Sequence, residues 1–353
     1  MRSFLKPAAG LVCLVALACA GCSSDGGGAS DTASPRSGGT RTAPAPSGDS
    51  DGDGDGDSST SATSYAPYVS ATTASATDSS GSPTTYNLAF VISDGSSCTP
   101  KWNGTYALGD SAVASRISAL KKSGASVRVS FGGASGKELA STCDSASALA
   151  AAYGAALDAA GSSQADFDIE GDELTDSDSV ALRSEAIALL QKERTDLEVS
   201  FTLPVMPSGL DDDSLALLES ANDHSVKVAT VDIMTMNYGS SYAGDMGDYA
   251  ITSAEAVHDQ LEDVFGLSGA GAWQGLALTS MIGVNDVDNE TFTLSDAAQV
   301  RAFAEEKEVA WVSMWSTFRD RQCVDDDAES DDAATDCSGV QQSSGAFAKA
   351  LAG

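Results

Sequence analysis

From Tyr65 onward, short apolar runs rich in β-branched and aromatic residues alternate with alanine-rich stretches of helical pattern. Several of the runs are apolar almost throughout, as expected of parallel strands buried on both faces. The eight runs begin near Tyr65, Tyr86, Ser126, Ala165, Glu198, Val228, Leu276 and Val309. The clearest helical stretches between them are residues 145–159, 177–192, 253–265 and 295–306, and the last three open with a serine that suits an N-cap.

This alternation predicts an α/β fold, a single (β/α)8 TIM barrel over residues 64–353. A doubly wound open sheet is the competing fold. That fold usually has a glycine-rich phosphate turn after its first strand, and the sequence has none there.

The N-terminal residues have the pattern of an export signal. Arg2 and Lys6 precede an apolar stretch at residues 11–20, which is the pattern of a signal peptide. The stretch ends in Cys-Ala-Gly-Cys, a bacterial lipoprotein processing pattern that predicts a signal over residues 1–21 and a lipidated Cys22. An ordinary secretory signal cut nearby is the alternative. We therefore expect an exported protein, either on the extracellular face of the membrane as a lipoprotein or secreted, with a lipid anchor as its one membrane contact.

Residues 22–63 are rich in Ser, Gly and Asp and predict a disordered, low-complexity acidic linker. Alternating Asp and Gly at residues 51–57 resemble the first half of a calcium loop. The twelfth position of such a loop would be Ala62 rather than Glu, so we interpret the run as a solvated spacer.

Composition excludes several kinds of partner. The 353 residues include 51 Asp and Glu but 19 Lys and Arg, and the formal net charge is −32. Such a charge repels nucleic acids and anionic lipids. Two histidines make a multi-histidine metal site improbable, so we expect no metal, and nothing suggests an oligomer rather than a monomer.

Four cysteines lie in the predicted exported domain: Cys98, Cys143, Cys323 and Cys337. An oxidising compartment favours two disulfides, for which three connectivities are possible. Pairing nearest neighbours in sequence gives Cys98–Cys143 and Cys323–Cys337. A four-thiolate zinc site is the alternative, although no Cys-x-x-Cys pair is present.

The fourth strand run contains three alternating acids, Asp166, Asp168 and Glu170. Alternation along a strand places all three on one side of the sheet. Three carboxylates this close are costly unless they share protons, and their mutual repulsion raises the pKa of at least one of them. A raised pKa suits a general acid near neutral pH, whereas pairing with Arg or capping of helices is the purely structural alternative.

The triplet resembles the Asp-x-Asp-x-Glu signature of glycoside hydrolase family 18, the chitinase family. The family's earlier Asp-Gly is replaced here by Ser163 and Gln164. Four further segments resemble family motifs in the same order: residues 130–133 (Ser-Phe-Gly-Gly), 236–238 (Met-Asn-Tyr), 281–286 and 313–316. Many family members have an Asp where this chain has Gly239, and Asn237 and Asn285 are the polar residues nearby.

The resemblance implies a bacterial chitinase that cleaves β-1,4-linked N-acetylglucosamine with retention and without a cofactor. In that mechanism Glu170 protonates the leaving oxygen, and the acetamide of the sugar is the nucleophile. Asp168 would stabilise the acetamide, Asp166 would lie beneath Asp168 and share its proton, and Tyr238 would donate to the acetamide oxygen. Trp315 would form the floor of the sugar site, with Met236, Asn237 and Asn285 as further substrate contacts. An endo-β-N-acetylglucosaminidase acting on N-glycans and a catalytically silent chitin-binding protein are the alternatives.

Overall fold

The computed structural model describes residues 63–324 and 336–353. The predicted signal peptide, Cys22 and nearly all of the predicted linker lie outside these residues. Thr63, predicted as the last linker residue, is buried and donates a hydrogen bond to the carbonyl of Ala304 (2.9 Å), so the folded part includes it.

The strands of the described residues are β1 (Ser64–Tyr65), β2 (Tyr68–Ser70), β3 (Thr85–Ser93), β4 (Pro100–Trp102), β5 (Tyr106–Ala107), β6 (Ser126–Gly132), β7 (Gln164–Asp168), β8 (Glu198–Pro204), β9 (Val228–Met234), β10 (Leu276–Met281), β11 (Gly283–Val284), β12 (Thr291–Phe292) and β13 (Trp311–Trp315). The α-helices are α1 (Ser111–Leu120), α2 (Ala146–Ala160), α3 (Asp172–Thr175), α4 (Ser177–Glu193), α5 (Asp212–Asp223), α6 (Met246–Phe265), α7 (Gly269–Gln274), α8 (Leu294–Lys307) and α9 (Ala346–Ala352).

Eleven strands form one sheet in the order β1-β13-β10-β9-β8-β7-β6-β3-β4-β5, with β2 also paired to β3. All pairings except those of β4 and β5 are parallel. The α/β prediction is confirmed. The strands follow one another from β3 to β13 without the reversal of order that defines a doubly wound sheet.

The predicted first strand is divided at Ala66–Pro67. Its first half, β1, pairs with β13, and its second half, β2, pairs with β3. The backbone hydrogen bonds continue across the division, because the amide of Ala66 donates to the carbonyl of Val312 and the amide of Asn87 donates to the carbonyl of Pro67. The segment therefore connects the last strand of the order to the first long one.

The two faces of the sheet differ in chemistry. Phe131 and Phe167 pack against Tyr153 of α2, with ring centroids 4.8 and 5.0 Å apart, and represent the apolar, helix-covered face. Residues that alternate with them, such as Ser130 and Asp166, form the opposite face and are hydrogen-bonded to one another. The strands are thus buried on both faces as predicted, but one of these faces is polar.

Three predicted N-caps are wrong, although α4 begins at Ser177 as predicted. The N-caps are Asp176, Asp245 and Thr293 rather than the serines at the predicted starts, and each cap side chain accepts a hydrogen bond from a backbone amide of the first turn. The largest error is in α6, which begins at Met246, seven residues before Ser253. Ser253 is buried within that helix, where its hydroxyl donates to the carbonyl of Tyr249.

Both predicted disulfides, Cys98–Cys143 and Cys323–Cys337, are present. The first joins the β3–β4 connection to the segment before α2. Among the described helices, none has the combination of length and apolarity that a membrane span requires.

Candidate active site

The acid triplet lies at the carboxyl end of β7. Asp166 and Asp168 belong to the strand and are buried, whereas Glu170 lies two residues beyond its end and is partly exposed. The prediction that all three lie on the strand is therefore wrong for Glu170. The acids instead form a series from the interior to the surface, with Glu170 outermost.

Asp166 is held by hydroxyl groups. Its Oδ2 accepts hydrogen bonds from Ser130 (2.6 Å) and Tyr68 (2.9 Å), and its Oδ1 accepts from Ser200 (2.8 Å) and Thr202 (2.9 Å). Both oxygens thus have partners on neighbouring strands. The resemblance implied a proton shared with Asp168, but the structure uses hydroxyl groups of β2, β6 and β8 to satisfy Asp166.

Asp168 and Glu170 form the acid pair of the site. Burial raises the pKa of Asp168 well above its usual range, and the charges of Glu170 and Asp166 raise it further. Burial also raises the pKa of Glu170, while the hydrogen bond with Asp168 lowers it. The two carboxyl groups therefore interact through one hydrogen bond, and the pKa of each is raised. Among the described residues no group donates to Asp168 Oδ1, which is buried.

The Ser-Phe-Gly-Gly motif fixes the backbone beneath this pair. Gly132 has φ +100°, and a Cβ there would overlap the carbonyl oxygen of Asp168. The amide of Gly133 donates to the same carbonyl (2.8 Å), and a Cβ on Gly133 would lie 2.8 Å from the Phe90 ring. Glycine is therefore required at both positions, because the backbone of β6 approaches Asp168 closely.

A cavity of about 220 Å³ opens beside Glu170. Three methionines, Met206, Met234 and Met236, supply much of its apolar wall, and Asp211 and Asn237 supply polar groups. The structure therefore brings the predicted contacts Met236 and Asn237 to the side of Glu170.

Hydrogen bonds hold Asn237 in place. Its φ is +55°, its Oδ1 accepts from the amide of Asp286 (3.0 Å), and its Nδ2 donates to the Asp286 carboxylate (3.5 Å). The buried carboxylate of Glu290 accepts a hydrogen bond from the amide of Gly239 (2.8 Å). The loop before α8 thereby fixes the segment that follows β9.

A second cavity, of about 540 Å³, has an aromatic wall. Trp315 stacks on Phe90 with ring centroids 5.6 Å apart and meets Phe318 edge to face at 5.9 Å. Tyr68 contacts Trp315 with its ring (5.9 Å) and Asp166 with its hydroxyl, so it connects the aromatic wall to the acids. Trp315 is thus placed where it can contact a sugar ring.

Two predicted site residues lie elsewhere. Tyr238 is buried between Tyr242 and Tyr249, and its hydroxyl bonds with Ser253 of α6 and with Thr235. Because Asn237 has a positive φ, the backbone turns after β9 and Tyr238 does not continue the strand alternation. The amide nitrogen of Asn285 donates to the carbonyls of Met281 and Gly283, so this side chain supports its own loop.

Sequence reasoning missed several buried polar residues. Tyr68 and Asp232 are on the polar face of the sheet, and Glu138 forms a buried ion pair with Arg183 (2.9 Å) while accepting from the Tyr153 hydroxyl (2.6 Å). Asp232 could have been found, because it is a lone acid in an apolar strand run. Tyr68 and Glu138 have no comparable signal.

One cluster has metal-binding residue types. His258, Asp259 and Glu262 have potential ligand atoms within 4.8 Å of one another. The ring nitrogens of His258 already bond with the Asp259 carboxylate and the Gly269 carbonyl, each at 3.0 Å. We assign no metal to this cluster.

Two interacting acids with raised pKa values, beside a cavity at the carboxyl end of a parallel strand, are an arrangement typical of α/β-type glycoside hydrolases. No family model matches the sequence. The chain is 33% identical over 275 residues to a probable bifunctional chitinase/lysozyme of Escherichia coli, covering 72% of this chain and 31% of that protein. It is 32% identical over 274 residues to endochitinase 11 of Metarhizium anisopliae, covering 72% and 52%. The chain thus spans about a third of the length of the first relative and about half of the second.

The fold has a solved counterpart of similar extent. Active domain 2 of a thermostable chitinase from Pyrococcus furiosus, solved as catalytic-site mutants with chito-oligosaccharides, matches with a TM-score of 0.71 and 28% identity. The match covers 81% of this chain and 92% of that one. In sequence and in fold, the chain is therefore similar to chitinases.

Proposed function

We propose that this protein is a chitinase that hydrolyses β-1,4 bonds between N-acetylglucosamine units. The observation that carries the proposal is the Asp168–Glu170 pair, in which the buried Asp168 and the partly exposed Glu170 interact beside a cavity and each has a raised pKa. The chitinase names of the relatives, and the chito-oligosaccharides bound to the archaeal domain, support this substrate class.

The shared proton suggests how the cycle begins. In the free protein Asp168 donates to the Glu170 carboxylate. A hydrogen bond from the acetamide N–H of the substrate to the Asp168 carboxylate would favour the ionised form of Asp168 and transfer the proton to Glu170. Glu170 then protonates the leaving oxygen, and Asp168 stabilises the positive charge that develops on the acetamide.

The same pair supports retention of configuration. In this family the substrate supplies the nucleophile, because the acetamide oxygen attacks the anomeric carbon and water later opens the oxazolinium ion. Glu170 acts as the base toward that water. Trp315 provides an apolar floor for the sugar, whereas the contacts of Tyr238 with α6 argue against the role that the resemblance gave it.

We further propose that the sheet is the closed (β/α)8 barrel of the family. The segment of β1 and β2 would complete the barrel as its eighth strand. Its β1 part pairs with β13, and its β2 part pairs with β3. The polar face of the sheet then becomes the barrel interior, with the acids at its carboxyl-terminal mouth.

Turnover of an N-acetylglucosamine hexamer by Glu170→Gln tests the proposal. We expect kcat to fall about 10³-fold, because general acid catalysis contributes 10²–10⁴. Glu173→Gln is the matched control: it neutralises an acid three residues away, outside the Glu170 cavity, and should leave turnover near wild type. Equal turnover of the Glu170 variant and the wild type would refute the mechanism.

The products distinguish the alternatives. Shorter N-acetyl-chitooligosaccharides, released as the β-anomer in a proton NMR time course, support a retaining chitinase. Release of glycan from a high-mannose glycoprotein, with the hexamer intact, would instead identify an endo-β-N-acetylglucosaminidase. Binding to chitin without any product would identify a silent chitin-binding protein.

We also propose that the protein is exported and anchored by lipid on Cys22. Two positive charges, an apolar stretch and the Cys-Ala-Gly-Cys sequence motivate this proposal. Mass spectrometry of the mature N-terminal peptide should show a diacylglyceryl group on Cys22, and Cys22→Ser should release the protein from the membrane fraction. An unmodified N-terminus at another residue would favour simple secretion.

A further inference from the structure

A fourth buried carboxylate lies on the polar face of the sheet, apart from the acid triplet. Asp232 of β9 is 1% exposed. Its Oδ2 accepts hydrogen bonds from the Thr279 hydroxyl (2.7 Å) and the Trp311 indole (3.2 Å). No described residue donates to its Oδ1, which is also buried. Neither the mechanism above nor the family signature assigns this residue a role.

The strand register places Asp232 level with the acid pair. Asp168 pairs with Thr202, and Thr202 pairs in turn with Asp232. Two inter-strand steps separate the backbones of the two acids, a distance of about 10 Å. Thr202 also donates to Asp166, so Asp166, Asp168 and Asp232 surround one threonine.

Few charges offset this group of acids. The titratable or charged residues facing Asp232 are Asp166 and Asp168 of β7, Tyr68 of β2 and Arg128 of β6. The remaining contacts, from β10 and β13, are the neutral Thr279 and Trp311. The guanidinium of Arg128 lies 3.9 Å from the Trp311 ring centroid and is the one cation of the set.

We propose that Asp232 is a positioning residue for catalysis, whose negative charge retains the shared proton on the Asp168–Glu170 pair. It acts through its electric field, because two charges on a buried face of the sheet are screened less than two charges in water. The proposal rests on the proposed function, because the proton in question is the one that Glu170 delivers.

The pKa of Asp232 itself lies near neutral pH. Burial and the charge of Asp166 raise the pKa of Asp232 to about 7, against hydrogen bonds from Thr279 and Trp311. Above that pH its negative charge raises the pKa of Asp168 and opposes loss of the shared proton. The residue therefore extends activity toward alkaline pH, where the catalytic acid would otherwise be ionised.

Asp232→Asn removes the charge and keeps an oxygen acceptor. We expect the ratio of kcat/KM at pH 8 to that at pH 6 to fall about threefold relative to wild type. Thr279→Val provides a second route, because loss of its hydrogen bond keeps Asp232 protonated to higher pH and lowers the ratio in the same direction. The matched control is Thr230→Val, a buried β9 residue two positions earlier that carries no charge, and its pH profile should not change.

A readout independent of turnover separates this proposal from the proposed function. Carboxyl carbon NMR should show the Asp168–Glu170 pair titrating at lower pH in Asp232→Asn than in wild type. If the wild type cleaves no oligosaccharide, the proposed function fails while the NMR shift still decides the electrostatic effect. Unchanged pH profiles and unchanged titration in both Asp232→Asn and Thr279→Val would overturn the proposal. Should Asp232→Asn not fold, Thr279→Val alone decides it.

Discussion

At the scale of single residues, the site depends on how closely two strands approach each other. Gly132 pairs with Asp168 across β6 and β7, and its φ of +100° disfavours every other residue type. The backbone at Asp168 can therefore hold its position only because residue 132 has no side chain. An alanine here would push the Asp168 carbonyl away and turn the carboxyl group out of its hydrogen bond with Glu170.

The expected result of Gly132→Ala is thus a loss of both stability and turnover. A positive φ alone costs alanine about 1–2 kcal/mol. Gly95→Ala is the matched control, because Gly95 has φ +91° with no atom within 4 Å of a Cβ. We expect Gly95→Ala to cost that amount and retain full kcat, and Gly132→Ala to cost several kcal/mol and lower kcat at least about tenfold. Urea denaturation and hexamer turnover measure both, and identical behaviour of the two variants would contradict the argument.

The residues of the site differ in how far the sequence predicts them. Asp166, Asp168 and Glu170 are recognisable because alternating acids are rare in a buried strand. The role of Tyr238 was implied by the Met-x-Tyr motif and stays a prediction, because its hydroxyl bonds with Ser253 of α6 and the positive φ of Asn237 turns the backbone just before it. Tyr68 and Glu138 act through contacts with residues 98 and 45 positions away, Asp166 and Arg183, and no local pattern encodes such contacts.

At the scale of elements, periodicity predicts the strands and long helices because each buries a regular face. The short pairs β4–β5 and β11–β12 were missed, since two or three residues show no period. The start of α6 was missed for another reason. Gly244, Gly247 and several polar residues interrupt the hydrophobic pattern over the first two turns of α6. The Asp245 cap determines where the helix starts.

The disulfides connect elements that the sheet does not. Cys98–Cys143 closes a loop of 45 residues that includes β6, and Cys323–Cys337 closes a loop of 14 residues. Chain entropy predicts a destabilisation of about 4 kcal/mol for Cys98→Ser/Cys143→Ser and about 3 kcal/mol for Cys323→Ser/Cys337→Ser. Urea denaturation of the two double variants measures these values. A larger loss from the shorter loop would show that native-state contacts, rather than unfolded-state entropy, determine the effect.

At the scale of the whole molecule, 51 acidic residues outnumber 19 basic ones, and three aspartates are buried on the polar face of the sheet. The ordinary pKa values of Asp and Glu, about 3.9 and 4.3, lie below pH 5. Asp232 is a buried acid whose pKa is raised to about 7, so it titrates between pH 5 and pH 8. The pH dependence of stability between pH 5 and 8 therefore reports on the interior.

The sign of this dependence follows from proton linkage. Asp232 binds its proton more tightly when folded, with a pKa of about 7, than in the unfolded chain. Its contribution to stability is fully present below the unfolded pKa and is lost as the pH rises through 7. We expect the free energy of unfolding to fall from pH 5 to pH 8, with Asp232 accounting for on the order of 3 kcal/mol. Urea denaturation at constant ionic strength measures the slope, which Asp232→Asn should flatten. A slope near zero in the wild type would contradict the prediction, because it would mean that the interior acids are ionised in the folded protein throughout this range.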